Sequence, residues 1–397
     1  MAMVAPSAYL SYAYILKRMA NSFIYKAGAF VRSEAVLCIA FSCALVSCAF
    51  VEQGHDFFAA VDTRVLALLF CLMAAVGGLQ RSGLLSRCAH ALAAKARGLR
   101  SLCLALVMLP FFASMLVTND VALLAFVPFA IAALAMTDST RYLPRVIVLQ
   151  ALAANIGGMV TPMGNPQNLF LYTAFHIPTG EFFLTLAPFA LATLAALAAA
   201  CLSFEKLPLT ERTSLGSAAV KKKQAAGYAL LFCLGLAAVV RIVPYQAAFA
   251  IVAVSLLVFD REAFKRIDYG LLATFVCFFV FSGNIAGISA VSAALESLME
   301  QAPFLASAGA SQIVSNVPAA VLLAGFTDNW RALLLGVDVG GLGTPVASLA
   351  SLIALKLYLH TPDASLAAFM REFAFANIAG LAGLIALYCA IYGMAAL

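Results

Sequence analysis

Four short polar breaks interrupt stretches that are otherwise apolar, and they come in matched pairs. TNDVALLAFVPF (118–129) and SNVPAAVLL (315–323) form one pair; NIGGMVTPMGNPQNL (155–169) and DVGGLGTPVASLASL (338–352) form the other. Polar backbone at membrane depth is tolerated only where protein or water satisfies it. Breaks at corresponding places in two halves of a chain are the pattern of a transport site set between repeats.

Composition supports a membrane setting. Hydrophobic residues make up 64% of the 397 and charged residues 11%, against about 25% charged in ordinary soluble domains. At least eight stretches are long enough to cross or deeply enter a bilayer core, which takes about 20 apolar residues per helix. The net charge of +6 does not indicate nucleic acid, because Lys and Arg cluster in alternate loops as the positive-inside rule expects. The ten Cys lie almost entirely in apolar segments and form no CxxC pair, so they read as small buried apolar residues. His55, His90, His176 and His360 are scattered and assemble no metal set. No cofactor is expected beyond possible sodium ions.

The chain reads as an all-α polytopic membrane protein of four parts. Residues 1–33 carry Lys17, Arg18, Lys26 and Arg32 among aromatic and small residues and suit an interfacial helix rather than a signal peptide. A first repeat fills 34–203, a basic linker and connecting span fill 204–244, and a second repeat fills 245–397. In the first repeat, spans at 34–51 and 63–80 precede an interfacial helix at 83–98. A hairpin at 100–136, a broken span at 143–174 and a span at 181–203 follow. After the span at 225–243 the order recurs: spans at 245–259 and 269–286, an interfacial helix at 289–300, a hairpin at 302–327, a broken span at 332–357 and a last span at 370–393.

Residue matches underlie this repeat. Asp62, Cys71 and Gly77 correspond to Asp268, Cys277 and Gly283, and Asn119 corresponds to Asn316. Gly157, Gly158, Thr161 and Pro162 correspond to Gly340, Gly341, Thr344 and Pro345, which sets Asn165 on Ser348, Asn168 on Ser351 and Asn155 on Asp338. With the N-terminus in the cytoplasm, every Lys and Arg except Arg64, Arg241 and Arg331 falls on the inner side. The extra span at 225–243 then turns the second repeat over. The expected fold has inverted repeats with two re-entrant hairpins, opening to opposite faces, and two broken transmembrane helices. That symmetry lets a carrier face either side of the cell membrane in turn.

Each hairpin tip begins a half-helix, whose free N–H groups and positive pole suit an anion. The broken spans offer carbonyl and amide oxygens, hard ligands for a small cation such as sodium. Asn119, Asp120, Ser315 and Asn316 also suit plain helix capping, but capping alone does not account for four breaks at matched positions. Asp120 and Asp338 lie deep in apolar segments, where a charge costs about 2.5–3.5 kcal/mol on insertion scales and is functional by default. Both are therefore candidates for coupling, and they are not repeat mates, since Asp120 aligns with Val317.

At these residues the chain resembles the ion transporter superfamily, in the citrate-transporter-like group. That group contains divalent-anion/sodium symporters, arsenite efflux permeases and some sodium/proton antiporters. Its dicarboxylate members carry Ser-Asn-Thr at each tip; here the tips read Thr118-Asn119-Asp120 and Ser315-Asn316-Val317, departing at the third residue. The resemblance implies one cation site near Thr118, Asn119 and Gly164 and a second near Ser315, Asn316 and Ala347. It implies substrate between Asn119, Asn165, Asn316 and Ser348, with Asp120 beside them. It further implies a homodimer in the lipid bilayer with an elevator-type motion. The expected function is secondary active transport of a small anion, a di- or tricarboxylate or an inorganic oxyanion, coupled to sodium or protons. Arsenite-type efflux and sodium/proton antiport are the alternatives. An enzyme is not expected, for the sequence holds no HExxH and no nucleophile with a His partner. An ion channel would need a continuous polar pore, whereas these breaks converge on one place.

Overall fold

A computed structural model describes residues 35–50, 61–83, 98–208 and 220–394, together with Arg87 and Ala96. The expected N-terminal segment 1–33, most of the interfacial helix 83–98 and most of the basic linker lie outside the described residues.

Among the described residues sixteen α-helices with defined ends follow one another, and no named strand occurs. They are α1 (Ala35–Cys48), α2 (Thr63–Arg81), α3 (Leu99–Ser114), α4 (Asn119–Met136), α5 (Leu143–Met159), α6 (Pro166–Ala174), α7 (Thr179–Leu202) and α8 (Lys222–Val239). Then come α9 (Tyr245–Phe259), α10 (Tyr269–Ala286), α11 (Ser289–Gln301), α12 (Pro303–Val314), α13 (Asn316–Leu323), α14 (Trp330–Val339), α15 (Leu349–Leu359) and α16 (Leu366–Tyr392). The helices α2, α4, α7 and α16 are long and apolar enough to cross a membrane. A fifth span counts if α10 and α11, bent by 102°, are taken together. The apolar stretches in α1, α3, α9, α13 and α15 are shorter. Breaks at 160–165 and 340–348 divide both expected broken spans into half-helices too short to cross alone.

Helix starts follow local chemistry. The carboxylate of Asp62 accepts the backbone N–H groups of Arg64 and Val65 at 2.9 and 3.1 Å, and that of Asp268 accepts Leu271 N–H at 2.8 Å. These matched acids are both N-caps, each worth about 1 kcal/mol. Asn329 and Ser365 cap α14 and α16 in the same way.

Two packing groups emerge. In one, α1 lies against α10, and α2 against α8 and α9; Asn284 Nδ2 donates to Ser47 Oγ at 2.9 Å across the α1–α10 contact. In the other, α3 packs on α5 and α12 packs on α14, so the first arm of each helix pair lies along the first half of its broken helix. Glycines permit this approach. A Cβ at Gly157 would fall on the Phe111 carbonyl oxygen, and one at its mate Gly340 on Ala308. At the centre, α5 is apolar and buried nearly all round, as a helix surrounded by others must be. It contacts α3, α4, α7, α15 and α16.

Gln150, fully buried on α5, resolves a local conflict. Pro110 inside α3 has no N–H, so the Leu106 carbonyl four residues earlier loses its helical partner. Gln150 Nε2 donates to that carbonyl at 2.9 Å and approaches Phe126 O on α4 at 3.4 Å, tying both arms of the first pair to the central helix. Gln150→Leu keeps the bulk and removes the donor. Since a buried unpaired carbonyl costs about 1–3 kcal/mol, the variant is expected to unfold at lower temperature than wild type in detergent. An unchanged midpoint would show that the bond is dispensable.

Candidate functional site at the helix breaks

The site is built from two tips resting on two breaks. At the first, Thr118 is extended and α4 begins at Asn119. Asn119 N–H donates to Gly164 O at 3.0 Å, and its side-chain oxygen accepts Asp120 N–H at 2.8 Å. At the second tip the same bonds recur at the matched positions. Asn316 N–H donates to Ala347 O at 3.0 Å, and Asn316 Oδ1 accepts Val317 N–H at 2.9 Å. Another pair matches as well: Thr161 Oγ1 donates to Met115 O at 2.6 Å, and Thr344 Oγ1 to Gln312 O at 3.1 Å. Each asparagine thus caps its own half-helix through its side chain and docks it through its backbone.

The carbonyls of Gly164 and Ala347, expected as cation ligands, already accept one bond from a tip. A carbonyl has two lone pairs, so Gly164 O keeps one for a ligand, while Ala347 O accepts a second bond from its own tip. Ser315 Oγ leans on Ala347 O at 3.3 Å, whereas no side-chain cap bond forms at Thr118. The tips differ in backbone too. Ser315 lies at φ 75°, in the left-handed region that favours glycine, held there by the Asn316–Ala347 bond. Ser315→Gly is therefore expected to fold at least as stably as wild type while losing only the hydroxyl, so a change in its sodium dependence of uptake would report that oxygen alone.

Asn155, on the last part of α5, joins what the sequence kept apart. Its Oδ1 accepts Asn119 Nδ2 at 3.0 Å and Ser348 Oγ at 2.8 Å, and its backbone carbonyl accepts Asn165 Nδ2 at 3.2 Å. A tip, its own break and the break of the other half meet at this residue. Asn316 makes no bond to this group; its amide nitrogen faces Gly341 in the second break. Asp120 touches it only through its backbone N–H on Asn119 Oδ1, and its carboxylate Oδ1 is sealed without a partner. Asp338 is buried at the end of α14 and accepts Gln167 Nε2 at 3.0 Å.

Sequence reasoning passed over Asn155, Gln167 and Gln312. Gln312 clamps the second break, with Nε2 on Gly340 O at 2.6 Å and Leu342 O at 2.8 Å and Oε1 accepting Thr344 N–H at 2.8 Å. The one available signal was alignment: Asn155 is the repeat mate of Asp338. A cavity of about 660 Å³ between α5, α7 and α16, walled by Leu149, Leu152, Ala196 and Phe375, reaches the breaks only through Leu342. Being apolar and remote from the asparagines, it is not the site.

Sealed polar atoms gather where the breaks meet. Asn155 Nδ2, Asn165 Oδ1, Asn168 Oδ1 and Asp338 Oδ2 are buried and make no hydrogen bond. Buried polar groups are nearly always paired, so unpaired ones gathered at two unwound segments suit a ligand. Among the described residues no group of three His, Cys, Asp or Glu is placed to hold a metal ion.

The family model described as citrate transporter matches residues 23–330. The chain belongs to the citrate transporter family. An uncharacterized transporter of Methanocaldococcus jannaschii is 32% identical over 308 residues, covering 76% of this chain and 83% of the relative. The inner membrane protein YbiR of Escherichia coli is 28% identical over 307 residues, covering 75% and 81%. The silicon efflux transporter LSI3 of Oryza sativa is 35% identical over 144 residues, covering 36% and 29%. With its apolar helices, this citrate transporter family member is a multi-pass membrane protein that functions as a transporter. The matched region contains both tips and the first break, while the second break lies beyond residue 330.

Proposed function

We propose that the protein is a secondary active carrier of a small anion, a carboxylate or inorganic oxyanion, driven by sodium or protons. The observation that carries this reading is the recurrence of one bond: each tip asparagine donates its backbone N–H to the break of its own half at 3.0 Å. Two like half-sites, related as an inverted repeat, supply N–H groups and helix N-termini for an anion and carbonyl oxygens for cations. The repeats at 34–203 and 245–397 enter from opposite faces as two re-entrant hairpins. The group that holds α3 to α7 and α12 to α16 moves against the group of α1, α2 and α8 to α10 as an elevator, in a homodimer. The N-terminus faces the cytoplasm of a cell whose plasma membrane holds the carrier.

A second reading, efflux of an arsenite-like species, is favoured by one observation: among the described residues the amide cluster is bonded to no Lys or Arg. A weakly charged hydroxylated solute fits amides and hydroxyls without a fixed positive charge, and a relative named as a silicon exporter accords with this. Purified protein in proteoliposomes, given imposed sodium or proton gradients and labelled citrate, succinate, sulfate or arsenite, separates the readings. Saturable, gradient-driven accumulation with counterflow supports a carrier, and the solute that accumulates names the class. Linear, non-saturating flux without counterflow would indicate a channel. Single-cysteine labelling tests the orientation. Loops 81–100 and 205–224 are expected to label from the same face, and opposite faces would overturn the inverted arrangement.

A further inference from the structure

We propose that Asp338, Asn165 and Asn168 form a binding site for a monovalent cation of the sodium type, lying between the halves and distinct from the two sites at the tips. It rests on the carrier reading for its purpose, though not for its geometry. Asp338 comes from the last turn of α14, the negative pole of that half-helix, where a carboxylate is disfavoured without a cation. Facing it is the first turn of α6, from the other half of the chain. Gln167 Nε2 donates to Asp338 Oδ1 at 3.0 Å, and Asn165 and Asn168 flank Gln167 at the same helix start, their Nδ2 groups spent on the carbonyls of Asn155 and Met159. All four side chains expose 3% of their surface or less.

Three oxygens in this group, Asp338 Oδ2, Asn165 Oδ1 and Asn168 Oδ1, are sealed and unpartnered. Among the described residues no Lys, Arg or His pairs with Asp338. One full negative charge with neutral carboxamide oxygens suits a hard monovalent ion. A proton on Asp338 would settle the charge and could serve at most one further oxygen, leaving an amide oxygen unmet. The repeat mate of Asp338 is the neutral Asn155, which is occupied by Asn119 and Ser348. The charge therefore makes this site single, with no counterpart in the first half.

Sodium binding measured without substrate tests this directly. Purified protein in nanodiscs is titrated with labelled sodium at fixed pH and ionic strength. Wild type is expected to bind one more sodium per protomer than Asp338→Asn, and Asn168→Ala is expected to weaken that binding about tenfold, the effect of one lost buried partner. Asn316→Ala should leave the Asp338-dependent ion in place. Equal sodium stoichiometry in wild type and a folded Asp338→Asn would overturn the site, as would binding that protons alone replace. Should Asp338→Asn fail to fold, unchanged affinity in Asn168→Ala overturns it instead. Uptake assays judge the carrier reading separately: a protein that binds this sodium yet moves no anion refutes the function and keeps the site.

Discussion

Asn119→Ala and Asn316→Ala are each expected to abolish uptake while the protein still reaches the membrane. Each asparagine side chain accepts the next backbone N–H of its half-helix, at 2.8 Å for Asp120 and 2.9 Å for Val317. Truncation leaves that donor facing the site unpaired, at about 1–3 kcal/mol. The two variants should nevertheless differ. Asn119 Nδ2 also holds Asn155 Oδ1 at 3.0 Å, so Asn119→Ala loosens the junction of both halves, whereas Asn316→Ala disturbs only its own tip. A larger fall in thermal midpoint is expected for Asn119→Ala. Asn119→Asp separates the roles, because it keeps the capping oxygen and loses the donor to Asn155. Uptake normalised to the amount of protein in the membrane is the measurement, and near-normal uptake by either alanine variant would reject the shared site.

Asp120→Asn is expected to lose gradient-driven accumulation while exchange of substrate across the membrane survives. If Asp120 were a helix cap, asparagine would replace it at almost no cost. The geometry speaks against that role: the free N–H at this tip is taken by Asn119 Oδ1, and the Asp120 carboxylate leaves Oδ1 sealed and unpartnered in the first turn of α4. An acid placed there, beside Asn119 and within reach of the positive pole of α4, is suited to meet a cation that arrives with substrate. Proteoliposomes loaded for exchange and, separately, energised with a sodium or proton gradient distinguish the two functions. Unchanged accumulation in Asp120→Asn would remove Asp120 from coupling, and loss of exchange as well would assign it to substrate binding.

What the sequence determined by itself was the pattern set by burial and local chemistry. Apolar runs had to become buried or lipid-facing helices, since a chain with 11% charged residues has little else to bury. Polar breaks within such runs had to be satisfied by something, and that requirement marked Asn119 and Asn316, while Asn165 and Ser348 came with the family resemblance. Asp62 and Asp268 were legible as matched residues, and both cap helices. Membership of the citrate transporter family was legible at the same breaks.

Which groups satisfy one another was decided only in three dimensions. Pro110 announces an orphan carbonyl at Leu106, but nothing local says that Gln150, 44 positions away, covers it. Asn155 opens the first break in sequence, but it becomes central only because Asn119 and Ser348, from opposite halves, both reach its oxygen. Gln167 and Asp338 are 171 positions apart and meet where two half-helices point at each other. Hydrogen bonds have a range of about 3 Å, so partners distant in sequence are chosen by how the helices pack. Here the packing of α5 and α6 against α14 and α15 makes that choice.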